Sequence, residues 1–218
     1  MTIAPSPPAV TTEVSHTIAE YFDLELTADI RHEYRHGTII AMPGGTPAHN
    51  KLTSILNALL WFGLRGKNYD VFNADQRLWI PDQQIYTYPD VMVVARPLQL
   101  QPGCKDTIIN PILIAEVLSP STEAYDRGAK FAAYRTIPTL QEYLLIDQDR
   151  PHVEQYVKQP NHSWLFTEYD ATNAPDHDLS SMTIPLGTLP SALAFVDLYE
   201  NLYDGTQPPA DSDNPPSN

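Results

Sequence analysis

A single cysteine, Cys104, stands in 218 residues, which excludes an intramolecular disulfide and a cysteine-rich zinc module. No run of about 18 apolar residues occurs, so nothing reads as a membrane span. Met1 to His16 lacks a basic start followed by an apolar stretch and does not read as a secretion signal; the expected compartment is the cytoplasm. Positive charge is also scarce: 13 Lys+Arg stand against 27 Asp+Glu, a formal net charge of -14. Duplex-binding proteins usually carry a basic footprint, because phosphate contacts supply most of the non-specific affinity. Any nucleic-acid function here must therefore work through a local basic patch, metal ions or a partner. Met42–Thr46 lacks the GxxxxGK[ST] pattern of a phosphate loop. Ser119 and Ser121 sit in no GxSxG elbow and read as helix caps.

The residues that are present describe one soluble globular domain with disordered ends. Hydrophobic side chains make up 42% and charged ones 18%, and one domain typically holds roughly 100–200 residues. Seven of the 21 prolines fall in residues 1–16 and 205–218, segments with too little to bury against the entropy of ordering. The folded part is expected over 17–204. Arg31–His36 and Thr38–Met42 flank Gly37 and read as a hairpin. A helix follows from Pro47, with Leu52, Ile55, Leu56, Leu59 and Leu60 on one broad face, until Gly66. Tyr69–Asn73, Gln76–Ile80 and Val91–Ala95 read as strands. Ile112–Leu118 is nearly all apolar, as a central strand covered on both faces would be. A helix over Glu123–Arg135, strands over Glu142–Asp147, His152–Lys158 and Ser163–Tyr169, and a closing helix over Pro190–Tyr203 complete an α/β (α+β) pattern.

Two carboxylates interrupt apolar strands. Asp90 follows Pro89 at the entrance of VMVVA, and Glu116 sits within ILIAEVL. An unpaired ionised carboxylate in the interior costs several kcal/mol, so a cation partner or a metal ion is called for. A buried ion pair with a basic residue and a hard divalent cation both meet that need.

Pro89-Asp90, then Glu-x-apolar in a strand some 26 residues on, resembles the PD-(D/E)XK nuclease superfamily. The usual lysine two residues after the Glu is here Leu118. A closer resemblance covers nearly all of the folded span. Glu116-Val117-Leu118-Ser119-Pro120-Ser121-Thr122, then Asp126, Lys130 and Tyr134, then Glu142–Asp147, look like the Uma-type family of restriction-endonuclease-like proteins. Glu33 with Gly37, and His49 at the start of the long helix, fit the same pattern. The resemblance implies a restriction endonuclease-like fold, a mixed central sheet flanked by helices. It also implies metal-dependent hydrolysis of phosphodiester bonds in DNA. Asp90 and Glu116, with the backbone carbonyl of Val117, would hold Mg²⁺, for which Mn²⁺ would substitute. Lys130 would stand in for the displaced lysine, and Glu33 would add a further carboxylate. A homodimer is the expected assembly, since cutting both strands needs two sites.

Each of these residues also has a plainer reading. Tyr125, Gly128, Ala129, Ala132 and Thr136 share one helix face suited to packing on the sheet, which puts Lys130 on the opposite, polar side with Asp126 and Tyr134. There Lys130 either pairs with Asp126 in solvent or lines a cleft. Glu33 is either a site carboxylate or a strand residue facing water, and His49 either touches phosphate or sits at the surface. His32 and His36 lack a third ligand for zinc. Trp79, Tyr86 and Tyr88 either stack on bases or fill the core. The rival to an enzyme is a catalytically inactive module that keeps the nuclease fold and binds nucleic acid or protein.

Overall fold

Alternation along β8 (Pro111–Leu118) organises the whole chain. In the computed structural model, which describes residues 15–42, 44–172, 179–200 and 202, Leu113, Ala115 and Val117 face one apolar core and Ile114 and Leu118 face another. A strand buried on both faces must be apolar on both, which explains its continuous hydrophobic run. β8 runs parallel to β9 (Glu142–Asp147) and antiparallel to β6 (Val91–Ala95). β10 (His152–Lys158) and β11 (Trp164–Asp170) extend this sheet on one side, and β3 (Tyr69–Asn73) closes it on the other. On the first face lies α2 (Pro47–Leu64), whose Leu52, Leu56, Leu60 and Leu64 form the apolar stripe. α5 (Phe195–Tyr199) packs beside it.

The other face meets a helical segment and a second sheet. β1 (His32–Arg35) and β2 (Thr38–Ala41) form the expected hairpin, with His36 and Gly37 both at positive φ, 50° and 93°, in its two-residue turn. β5 (Ile85–Thr87), β4 (Arg77–Ile80) and β7 (Thr107–Ile108) complete a five-stranded sheet in the order β2-β1-β5-β4-β7. Leu78, Ile80 and Ile85 point into the second core. On the outer face of this sheet, α1 (Ile18–Glu25) covers an aromatic cluster of Tyr21, Tyr34 and Tyr86. The fold is thus α+β with mixed sheets and few helices, and a second sheet shares the covering role expected of helices alone.

Several expectations change. The closing helix over 190–203 is instead β13 (Ala192–Ala194), paired with β12 (Thr183–Pro185), followed by the short α5; Tyr203 lies outside the described residues. Tyr86 and Tyr88 are buried, so they fill the interior rather than stack on bases. Both expected tails fall largely outside the described residues, but His16 already bonds to the hairpin, through its N–H to Gly37 O at 2.7 Å and its carbonyl to the Tyr34 hydroxyl at 3.0 Å. Among the described residues no helix is long and apolar enough to cross a membrane.

α1 is an element that the apolar periodicity does not predict, although Thr17-x-x-Glu20 is a capping box. The Thr17 hydroxyl accepts from Glu20 N–H at 3.2 Å, and Glu20 accepts from Thr17 N–H at 2.7 Å. Glu20 is accordingly held below the usual carboxylate range by its bonds to Thr17. Thr17→Ala should lower the urea unfolding free energy by about 1 kcal/mol. An unchanged value would show that α1 is held by its aromatic face alone.

Candidate active site

Continuing the β6–β8 register, in which Val91 faces Ala115, sets Asp90 opposite Glu116 on the face of the second core. The backbone confirms the closeness: Val117 N–H donates to Asp90 Oδ2 at 2.8 Å, and Asp90 N–H approaches Glu116 Oε2 at 3.4 Å. Glu116 is only 2% exposed. Its Oε1 accepts from the Tyr134 hydroxyl at 2.7 Å and lies 2.8 Å from Lys130 Nζ, which is also 3.1 Å from Asp126 Oδ1.

Lys130 therefore points into the cleft, not into solvent, and the helical segment is turned the opposite way from the small-residue expectation. Gly128, Ala129 and Ala132 are exposed, while Asp126, Lys130 and Tyr134 are buried. The segment runs from α3 (Glu123–Tyr125) through a π-helical turn (Asp126–Lys130) into α4 (Phe131–Tyr134). The wider turn adds one residue and rotates the side chains beyond it about the helix axis. The Tyr143 hydroxyl donates to the Asp126 carbonyl at 3.1 Å, taking up a backbone acceptor in that turn. Packing of small residues on the sheet lost because Lys130 meets both Glu116 and Asp126, and Tyr134 meets Glu116, contacts that offset the cost of burying these groups.

The opposite wall comes from the second sheet. Glu33 alternates with Tyr34 on β1, so it faces the cleft while Tyr34 joins the aromatic cluster. Its carboxylate accepts from the Thr87 hydroxyl and from the Arg35 guanidinium, whose Nε lies at 2.8 Å. Arg35 in turn lies 3.7 Å over the Tyr125 ring. His49, in the first turn of α2 below the Thr46 cap, places Nε2 3.2 Å from Asp90 Oδ2. Together these groups line a cleft of about 420 Å³. Arg35 and Tyr125 are not among the residues expected at the site, yet Arg35 two positions after Glu33 on a strand shares its face, so that signal was available. His32 binds Glu25 through Nδ1 at 3.0 Å and His36 sits in the turn, so these two form no zinc pair.

The cleft gathers charge of both signs. Glu33, Asp90, Glu116 and Asp126 face Arg35, Lys130 and His49. Burial, reinforced by Asp90 and Asp126, pushes Glu116 up to about 8 against the pull of Lys130. Burial alone would lower Lys130, but Glu116, Asp126 and Glu33 outweigh it and hold the ammonium well above its ordinary value. His49 behaves similarly: burial opposes its charged form, but the bond to and charge of Asp90, with Asn50 and Glu116, together outweigh it and raise its pKa. Among the described residues no three His, Cys, Asp or Glu side chains gather into a metal-binding group. Two facing carboxylates remain, with Glu116 retaining its proton into the neutral range and Asp90 Oδ1 without a hydrogen-bond partner among the described residues. That pair of hard oxygen donors fits a divalent cation once Glu116 gives up its proton.

A family model named Uma2 and described as "Putative restriction endonuclease" matches residues 18–190. Two uncharacterized proteins of Synechocystis sp. are similar to this chain. One, sll1609, is 44% identical over 158 residues, 72% of this chain and 89% of that protein. The other, slr1290, is 35% identical over 176 residues, 81% of this chain and 92% of that protein. A crystal structure from Anabaena variabilis, described as "a putative nuclease belonging to DUF820", superposes with a TM-score of 0.64 at 19% identity, over 84% of this chain and 98% of that one. The fold is shared with that structure, and the chain belongs to the Uma2 family, in agreement with the resemblance carried by Glu116–Thr122, Asp126, Lys130 and Glu142–Asp147.

Proposed function

We propose that this protein is a DNA endonuclease that hydrolyses phosphodiester bonds with a divalent cation, Mg²⁺ or Mn²⁺, held by Asp90, Glu116 and the carbonyl of Val117. The observation that carries the reading is the contact of Lys130 Nζ with Glu116, 2.8 Å, in a cleft where Asp90 faces the same carboxylate. Val117 turns its N–H to Asp90, and a strand residue points its N–H and C=O to the same edge, which supports its carbonyl as the third oxygen. When bound, the cation supplies charge neutralisation at the scissile phosphate and a more acidic water. Lys130 aims fixed positive charge at the site where the phosphoryl oxygens gain charge. Asp126 and Tyr134 position it against Glu116, and Arg35, held by Glu33 and Tyr125, offers a second cation at the mouth. Cutting both strands needs two such sites, so a homodimer working in the cytoplasm belongs to the same proposal.

Calorimetric titration of Mn²⁺ into the wild type and into Asp90→Asn/Glu116→Gln tests it without a guessed recognition sequence. Binding by the wild type alone is expected, followed by Mn²⁺-dependent nicking of supercoiled plasmid. Equal heats in both proteins, or none in either, would overturn the metal reading. The net charge of -14 would then favour the non-catalytic module.

A further inference from the structure

A second cavity of about 600 Å³ opens from the same site, sharing His49 and Asp90 with it. It runs along α2 past Asn50, Thr53, Ser54 and Asn57 to Asn73 and Asp75 on the β3–β4 turn. Positions 49, 53 and 57 repeat every four residues, so they form one ridge of the helix. This ridge is not the apolar stripe, since Leu52, Leu56 and Leu60 face the core. Along the helix, between His49 and Asp75, its lining is amide and hydroxyl. Asp75 at the far end is neutralised by Arg31, which meets it with both Nε and Nη2 at 3.0 and 2.9 Å.

One detail separates this groove from an ordinary polar helix surface. Thr53 Oγ1 is buried without a hydrogen-bond partner among the described residues, whereas its neighbour Ser54 bonds back to the Asn50 carbonyl at 2.8 Å. A helical threonine has that local option and here leaves it unused. A buried hydroxyl left unpaired is a standing cost, and such groups in native structures call for an explanation. His49 Nδ1, at the junction with the catalytic cleft, is buried beside Asn50.

Resting on the proposed nuclease activity, we infer that this groove takes the nucleotide next to the scissile phosphate, with its base edge hydrogen-bonded by Thr53 and the amide of Asn57. Asn50, whose Nδ2 donates to the Gly45 carbonyl at 3.2 Å, borders the base at the end nearer His49. An amide side chain presents a donor and an acceptor together, the pattern that matches an adenine edge. Beyond the cation, Lys130 and Arg35 at the cleft, a protein this acidic gains little from phosphates, so neutral contacts to bases add to its hold on DNA. Binding is therefore sequence-selective, and it depends weakly on salt, since few counterions are released.

The test uses the full chain, Ca²⁺ in place of a cleavage-supporting ion, and labelled random-sequence 30-base-pair DNA duplexes, with bound molecules recovered and sequenced. The wild type should enrich a short motif, and its affinity should fall about tenfold or less between 50 and 200 mM salt, against the roughly 10³–10⁵-fold of a protein with 6–10 phosphate contacts. Thr53→Val keeps the shape and removes only the hydroxyl. It should leave the melting temperature unchanged or raised, yet weaken binding to the enriched motif about tenfold. Asn50→Ala/Asn57→Ala should flatten the motif. Mn²⁺ titration without DNA is run on every variant, so loss of the metal site is told apart from loss of the groove. Normal Mn²⁺ binding with no motif enriched, a steep salt dependence, or a motif untouched by all three substitutions would overturn the inference.

Discussion

Lys130→Met should abolish most cleavage and destabilise the protein at once. Removing one preorganised charge from a site of this kind lowers the rate on the order of 10²–10³-fold. The stability effect has a separate cause. Lys130 is 9% exposed and lies against Glu116 and Asp126, and breaking a buried pair by deleting one partner costs about 3–5 kcal/mol, because the other charge stays buried and uncompensated. Glu116 has an escape: already pushed up to about 8, it takes a proton when Lys130 is gone. Urea unfolding should therefore show a smaller loss near pH 6 than near pH 9. Glu116→Gln/Lys130→Met should recover only the share of the loss that falls on Glu116, since Asp126 stays buried without its lysine, while cleavage stays absent. A loss below about 1 kcal/mol at every pH, the size typical of an exposed pair, would return Lys130 to the solvated surface.

That lysine also marks how far the sequence can be read. Asp90 and Glu116 are visible because each breaks an apolar strand, and period-2 alternation on β6 and β8 puts both on one face. Most strands and α2 are visible for the same reason, a clean period bounded by turns. The direction of the helical segment is not. Gly128, Ala129 and Ala132 offer small side chains to a sheet, and Asp126 and Lys130 look like an exposed i, i+4 pair until Glu116, 14 positions before Lys130, draws the lysine inward. Burial of charge is a pairwise property that neither side chain announces alone. The π-helical turn adds a phase change with no composition signal. β12, β13 and β7 escape because strands of two or three residues carry too few positions for a period, and their pairing is decided by neighbours distant in the chain. α1, by contrast, carries a readable capping box at Thr17 and Glu20.

Mn²⁺ binding should strengthen with pH and release a proton. In the metal-free cleft, burial and the charges of Asp90 and Asp126 leave Glu116 protonated below about 8. A cation needs the ionised carboxylate, so ion and proton compete for one group. Affinity should rise by up to about tenfold per pH unit toward pH 8 and level off above it. Calorimetry in buffers of different ionisation enthalpy should show close to one proton released per ion near pH 6.5 and almost none above pH 9. Stability of the metal-free protein moves the other way. The folded protein holds the Glu116 proton more tightly than the unfolded chain, whose value is near the ordinary 4.5. This group's contribution is therefore complete below about pH 4.5 and is lost as pH rises through 8. Saturating Mn²⁺ should flatten that decline, because the ion takes over the stabilisation that the proton provided. Glu116→Gln should remove both the pH dependence and the proton release. If wild-type affinity proves independent of pH, with no proton released, Lys130 alone neutralises Glu116, and its carboxylate enters the binding reaction already ionised. The cation would then add only charge to a pair that is satisfied without it, and the case for Glu116 as a metal ligand would fall.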